Sequence, residues 1–313
     1  MHAIETHSLS KRFPGGFGVH ELDLAVPPGS IYGFLGPNGA GKTTTIRLLL
    51  SLLKPSGGAI RIFGEALTAR SRRALANVGA LVESPSLYGH LTGRENLEVT
   101  RRLIAAAHRR VADVLQLVEL AGDADRLVRT YSLGMRQRLA LALALLGEPR
   151  ILILDEPTNG LDPAGIQELR ALLRQLIAER GITVFLSSHL LTEIEQMATH
   201  QMAMHQMEMH LGVLDRGRML FQGTLAELRR RAPPRLLIEC DDVARATREL
   251  DAAGETVTAD GSGQLVVALA ERTSAQINRL LVERGVGVAR LAPDDASLET
   301  LFLALTRGEA ARP

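Results

Sequence analysis

The chain has a single cysteine, Cys240, in 313 residues. No internal disulfide can form, which fits a reducing compartment. It has no excess of either charge. Its 36 Lys and Arg stand against 35 Asp and Glu, leaving a net charge of +1. Composition therefore argues for neither nucleic acid nor an anionic membrane surface as a partner. It also has no long hydrophobic run. The longest, Leu139 to Leu146, falls far short of the roughly 20 residues that cross a bilayer. No basic-then-apolar segment opens the chain. The expectation is a soluble protein whose membrane role, if any, passes through a partner. The length suits two domains, or one large domain with an appendage.

What is present concentrates first in Gly36, Pro37, Asn38, Gly39, Ala40, Gly41, Lys42, Thr43 and Thr44. This stretch fits the phosphate-binding pattern G-x-x-x-x-G-K-[ST]. Its glycines let backbone N–H groups turn inward around an anion. Lys42 supplies a point charge for the β- and γ-phosphates, and Thr43 a hydroxyl for Mg²⁺. The context fits as well. Ile31 to Leu35 reads as a buried strand before the loop. Thr44 to Leu53 reads as a helix after it, with Ile46, Leu49, Leu50 and Leu53 on one face. The positive end of that helix points at the phosphates.

Other pieces flank this centre. Residues Ile4 to Gly29 read as short strands and turns. Phe13 precedes Pro14-Gly15-Gly16, and its ring suits either stacking on an adenine or a core position. Val78 to Val82 is an apolar strand running into Glu83. Thr92-Gly93-Arg94-Glu95 is a capping box that starts a helix near Gly93. From there to Leu146 the composition is helical. Ser132 is an N-cap and Gly134 permits close backbone approach, a pattern shared by an anion site and an ordinary capped helix.

Ile151-Leu152-Ile153-Leu154 predicts a strand covered on both faces, as in a parallel sheet. Asp155 and Glu156 end it, at the strand end where α/β sheets put their ligands. Asp155 can hold Mg²⁺ through its water shell, and Glu156 can polarise an attacking water. With the phosphate loop, these acids make nucleoside-triphosphate hydrolysis the leading reaction. Asp162 and Pro163 start a further helix, ending at Gly181, with Ile166, Leu169, Leu172, Leu173 and Leu176 expected inside. Ile182 to Leu186 is another buried strand. It delivers Ser187, Ser188 and His189, and His189 suits either a structural role or a reach to the γ-phosphate.

In this order the pieces resemble the ATP-binding subunit of ABC transporters. They look most like the exporter type that serves antibiotic or bacteriocin resistance and immunity. The resemblance covers residues 1 to about 230. It implies an α/β P-loop cassette, with a RecA-like core and a helical subdomain near residues 84–150. By the same resemblance, Phe13 is the adenine-stacking aromatic and Gly36 to Thr44 the ATP-binding loop. Ser132 and Gly134 match the signature that closes on ATP from a second copy. Thr43 and Asp155 bind Mg²⁺, Glu156 is the base, Asp162 belongs to the D-loop, and His189 is the switch histidine. The implied ligands are ATP and Mg²⁺. The implied partners are a second copy and a separate integral-membrane permease at the inner face of the membrane, with no nucleic acid. The permease contact falls around Glu83 to Gly89.

Three features depart from the family's pattern. Glu83 stands where most members have glutamine, at a position that by the resemblance joins Thr43 and Asp155 at the metal, so it adds an acid there. The signature reads Tyr131-Ser132-Leu133-Gly134-Met135, keeping the serine and the second glycine. Residues 196–210 are three tandem copies of Q-M-x-x-H, holding five of the eight methionines and three of the nine histidines. Thioethers and imidazoles suit Cu(I). However, a five-residue period advances a helix about 140° past a full turn, so the histidines do not share a face. A duplicated helical or surface segment is the other reading.

Residues 231–313 form a linker and a small accessory domain in this reading. Their pattern is βαββαβ, which predicts a split-βαβ, ferredoxin-like module, followed by a helix with Leu298, Leu301, Phe302 and Leu305 on one exposed packing stripe. No catalytic constellation is visible there. Two rival classes remain open at this stage: a soluble ABC ATPase acting on nucleic acid or ribosomes, and a weakly hydrolysing ATP switch that confers immunity by binding.

Overall fold

The computed structural model describes residues 1–68, 70–82, 86–189, 209–231, 235–259, 264–269, 272–293 and 297–306. The chain clusters into two compact units, Met1–Leu225 and Ala226–Pro313. The first ends a few residues before the expected boundary at 230.

The first unit contains strands β1 (Ile4–Arg12), β2 (Gly18–Leu22), β3 (Ala25–Val26), β4 (Ile31–Leu35), β5 (Gly57–Ile62), β6 (Glu65–Ala66), β7 (Val78–Leu81), β8 (Ile151–Asp155), β9 (Thr183–Ser188), β10 (Met209–Asp215) and β11 (Arg218–Thr224). Five of them form an antiparallel sheet in the order β2-β1-β5-β6, with β3 also on β1. The other six form a second sheet in the order β11-β10-β4-β9-β8-β7. That sheet is parallel except for β11, which returns antiparallel beside β10.

The three middle strands are buried along their whole lengths, as their apolar runs predict. Their rings meet in the core. Tyr32 stacks on Phe185 at 5.4 Å, and Phe34 lies 5.2 Å from the same ring. Burial drives the Tyr32 hydroxyl pKa far above its usual value. The hydroxyl is not left unsatisfied, because it donates to Gln222 Oε1 at 2.8 Å. The register of the middle strands positions the chemistry. Leu35 on β4 pairs with Ser188 on β9, and Ser187 pairs with Asp155 on β8. The phosphate loop, the acids and the histidine therefore leave one edge at one level.

The helices of this unit are α1 (Lys42–Leu49), α2 (Gly93–Leu103), α3 (Arg110–Leu117), α4 (Leu133–Leu145) and α5 (Pro163–Arg180). The capping box is present at α2. Thr92 accepts from the Glu95 N–H, and Glu95 accepts from the Thr92 N–H. These bonds hold the Glu95 carboxyl below its usual pKa. Helix α1 differs from expectation. It starts at Lys42 rather than Thr44 and stops at Leu49, because Ser51 turns the chain with φ +55°. The helical stretch to Leu146 is broken into three helices, first after Leu103, where Ala105 turns the chain with φ +53°, and again between α3 and α4 by 3₁₀ turns at Ala121–Asp123 and Val128–Thr130. Buried Arg110 closes the end of α4 by donating to the carbonyls of Leu145 (3.1 Å) and Leu146 (3.5 Å). Asp162 caps α5 and Gly181 ends it at φ +61°, as expected. Its buried face is Leu169, Leu173, Leu176 and Ile177. Ile166 and Leu172 are only half-buried, so the apolar stripe lies slightly around the helix from the predicted one.

The second unit holds α6 (Leu225–Arg230, which begins on the boundary), β12 (Arg235–Cys240), α7 (Val243–Ala252), β13 (Thr256–Ala259), β14 (Leu265–Ala268), α8 (Ser274–Glu283), β15 (Val288–Pro293) and α9 (Leu298–Thr306). Its antiparallel sheet has the order β13-β14-β12-β15, that of a ferredoxin-like split βαβ. Leu236, Ile238, Leu250, Leu265, Ile277 and Leu281 lie in its core. Leu298 and Leu301 of α9 are buried rather than exposed, so that stripe is covered.

Cys240 sits half-buried at the end of β12. Burial, with Asp241 and Asp242 beside it, pushes its thiol pKa up. A raised pKa keeps the thiol protonated at neutral pH, and the thiolate is the reactive form. Iodoacetamide should therefore label folded protein several-fold more slowly than urea-unfolded protein at neutral pH. The two rates should converge as the pH rises through the raised pKa. Equal rates at neutral pH would contradict this environment.

Candidate functional site

The loop between β4 and α1 is shaped by its glycines. Gly39 has φ +82° and Gly41 φ +106°, backbone conformations that side chains resist. Gly36 fails on space instead. A Cβ there would lie 2.4 Å from the Leu214 carbonyl oxygen and 3.0 Å from Ala40 Cβ. Gly41 caps α1 without any side-chain bond, so no side chain competes for the first N–H groups of the helix. The loop is clipped from outside. The Gly217 N–H donates to the Ala40 carbonyl (2.9 Å), and the His20 N–H donates to the Gly217 carbonyl (2.8 Å).

Lys42 is 6% exposed. Its ammonium donates to the carbonyls of Gly36 (2.7 Å) and Pro37 (3.3 Å) and lies 3.3 Å from Glu156 Oε1. A buried cation needs such partners, because losing one leaves a charge without compensation. The other carboxylate oxygen of Glu156, Oε2, lies 2.6 Å from His189 Nδ1. Lysine, glutamate and histidine thus form one chain of contacts at the mouth of the loop. Glu156 has φ +50°, so β8 ends at Asp155 and the glutamate swings out of the strand. This arrangement can hold an anion on Lys42 and the loop amides while Glu156 draws a proton from a water.

Asp155 is buried, and its Oδ1 accepts from the Ser187 hydroxyl at 2.6 Å. Thr43 follows Lys42 in the first turn of α1. Among the described residues no three His, Cys, Asp or Glu side chains converge on a metal position. A hydroxyl and a carboxylate are hard donors. A set this sparse fits Mg²⁺, which keeps its waters and takes other ligands from phosphates. Glu83 lies outside the described residues. So do most of the Q-M-x-x-H repeats, of which Met209 and His210 begin β10.

Phe13 lies just past the end of β1, with 37% of its surface exposed. Its N–H donates to the Phe17 carbonyl at 2.9 Å, closing a tight hairpin, and the Lys11 ammonium lies 5.4 Å from its ring centre. The exposed ring can take a base by stacking.

Among the described residues, Ser132, Gly134 and Asp162 make no hydrogen bond or ion pair with Lys42. Ser132 Oγ accepts from the Met135 N–H (3.2 Å) and Asp162 Oδ1 from the Gly165 N–H (3.0 Å), each capping its own helix. The two motifs touch each other instead. A Cβ on Gly160 would come 2.9 Å from Leu133, and one on Gly134 would come 4.0 Å from Leu161.

Two residues of the site had no role from sequence. Ser187 bridges the two acids, and Gln137 on α4 donates to the Pro157 carbonyl at 2.7 Å, just after them. The signal for Ser187 was a hydroxyl inside an otherwise apolar strand end. Gln137 gave no signal beyond following the signature.

A family model described as ABC transporter matches residues 19–159. A bacitracin transport ATP-binding protein of Bacillus licheniformis is 40% identical over 310 residues, 97% of this chain and 97% of its own. The chain belongs to the ABC transporter ATP-binding proteins. A daunorubicin/doxorubicin resistance ATP-binding protein of Streptomyces peucetius is 36% identical across 97% of this chain and 92% of its own. A solved structure of an ATP binding subunit of an ABC transporter superposes with a TM-score of 0.63 at 29% identity, over 73% of this chain and 92% of that one. An ABC ATP-binding protein hydrolyses ATP to drive transport, and this cassette carries the convergent groups such a reaction needs.

The crowding at Gly36 makes a direct prediction. Gly36→Ala should weaken binding of a fluorescent ATP analogue by about tenfold or more, an effect of at least about 1.4 kcal/mol. The circular dichroism of the folded protein should be unchanged. Binding equal to wild type would show that the loop does not hold the phosphates.

Proposed function

We propose that this chain is the ATP-hydrolysing subunit of an exporter for an antibiotic, bacteriocin or similar compound. The names of the relatives at 40% and 36% identity support a drug-like cargo. Among the described residues no helix is long and apolar enough to cross a membrane. The reading assigns the path to a separate integral-membrane permease and sets this chain at its inner face. The permease contact is assigned to the segment that runs up to Gly89. In its described part, Tyr88 is half-exposed and held to α2, since Asn96 accepts from its N–H (2.9 Å) and donates to its carbonyl (3.1 Å). The exposed side chains Leu103 and Ile104 end the same helix.

The observation that carries the reading is the contact of Lys42 with Glu156 and of Glu156 with His189 beside the phosphate loop. In the cycle, Phe13 stacks on the adenine. The loop amides and Lys42 hold the phosphates. Thr43 and Asp155 hold Mg²⁺, which when bound neutralises phosphate charge. Glu156 accepts the proton of the attacking water, and His189 orients the Glu156 carboxylate. Ser132 and Gly134 close on ATP held by a second copy. That neither is bonded to Lys42 among the described residues of one chain supports that head-to-tail pairing. Hydrolysis removes the γ-phosphate that both copies share, and the pair reopens.

Glu156→Gln removes the base but leaves the loop intact. Its turnover should fall by about 10²–10⁴-fold. Light scattering of this variant should show the mass doubling only when ATP is added. A protein that binds ATP yet stays monomeric, alone and with its permease, would overturn the head-to-tail cycle. A variant that keeps wild-type turnover would remove Glu156 from the chemistry.

A further inference from the structure

Ser187 lies on β9 between the strand of the phosphate loop and the strand of the acids, and its side chain is wholly buried. A buried hydroxyl needs partners, and this one has two of different kinds. Its oxygen accepts from the Glu156 N–H at 3.0 Å. Its single proton is thereby free for one acceptor, and Asp155 Oδ1 takes it at 2.6 Å. That distance is in the range of a charge-assisted O–H···O⁻ bond.

Each bond answers a local problem. β8 stops at Asp155, and Glu156 takes φ +50°, a conformation that persists only where its surroundings hold it. The Glu156 amide has left the strand ladder, and the serine oxygen gives it an acceptor. The carboxylate of the same residue is held two positions later by His189, the residue that follows β9. The end of β9 and the residue after it therefore grip Glu156 at both its amide and its carboxylate. The Asp155 bond restrains the rotation of its carboxylate by occupying Oδ1, so Oδ2 would be the oxygen left for a metal's water shell.

We infer that Ser187 is a positioning residue. It sets the Asp155 carboxylate for Mg²⁺ and the Glu156 backbone for water activation through one hydroxyl. The inference rests on the ATPase reading above and adds a residue to it. It also separates two functions of the site. Nucleotide binding by the loop does not need Ser187, whereas the metal dependence and the chemical step do.

The test uses the full chain with Ser187→Ala and Ser187→Thr. Binding of a fluorescent ATP analogue is titrated with MgCl₂ and repeated in EDTA, and kcat and KM are measured alongside. In the alanine variant the Mg²⁺ midpoint should rise by about tenfold or more, the size of effect seen when a partner of a metal ligand is removed. Binding in EDTA should match wild type, and kcat should fall with KM for ATP little changed. Threonine keeps the hydroxyl and should restore the midpoint. If the alanine protein does not fold, Ser187→Cys replaces it, with an intermediate midpoint expected. A wild-type Mg²⁺ midpoint in the alanine or cysteine variant overturns the inference. So does an equal loss of binding with and without Mg²⁺, which marks plain distortion of the loop. Wild-type protein whose binding ignores Mg²⁺ would instead count against the ATPase reading itself.

Discussion

The register of three adjacent parallel strands is the constraint on which the site depends. β4, β9 and β8 are buried along their lengths and end together. A slip of one residue in β9 would turn Ser187 to the opposite face and move His189 off Glu156. The apolar runs and the stacked rings of Tyr32, Phe34 and Phe185 hold that register. The core thus does more than stabilise the fold. It sets the spacing between a lysine, a glutamate and a histidine that are far apart in the chain.

Charge is handled sparingly at this edge. Lys42 is nearly buried, and loop carbonyls and one carboxylate oxygen surround it. Asp155 has its own donor in Ser187. Each ion is therefore compensated before any phosphate or metal arrives, so a ligand exchanges partners with a preset group instead of burying a bare charge. Preorganisation of this kind is what makes electrostatic catalysis effective, since little must rearrange as charge develops.

Much of this was readable from the residues. The phosphate loop, the acids after Ile151–Leu154 and the caps at Thr92, Ser132 and Asp162 depend on local chemistry, and local chemistry is written in adjacent positions. The ferredoxin-like order of the second unit followed from alternating elements with short turns. The unread parts are non-local. Nothing near Ser187 in sequence announces a bond to Asp155, 32 positions away. The buried face of α5 includes Ile177, while Ile166 and Leu172 sit at its margin. Helix α1 starts two residues early because Gly41 can act as a left-handed cap. The burial of Leu298 and Leu301 depends on tertiary packing that a stripe on one helix does not reveal.

The backbone clip at Ala40, Gly217 and His20 has a mechanical consequence. It joins the cradle of the phosphates to the β10–β11 turn, and that turn to β2, through main-chain bonds centred on Gly217. At the same junction a Cβ on Gly217 would lie 2.2 Å from the Gly18 carbonyl oxygen, so three segments of backbone are in direct contact. A cradle braced in this way behaves as a fixed seat. Nucleotide then meets a seat whose shape is set before it arrives, so binding spends little on ordering the loop.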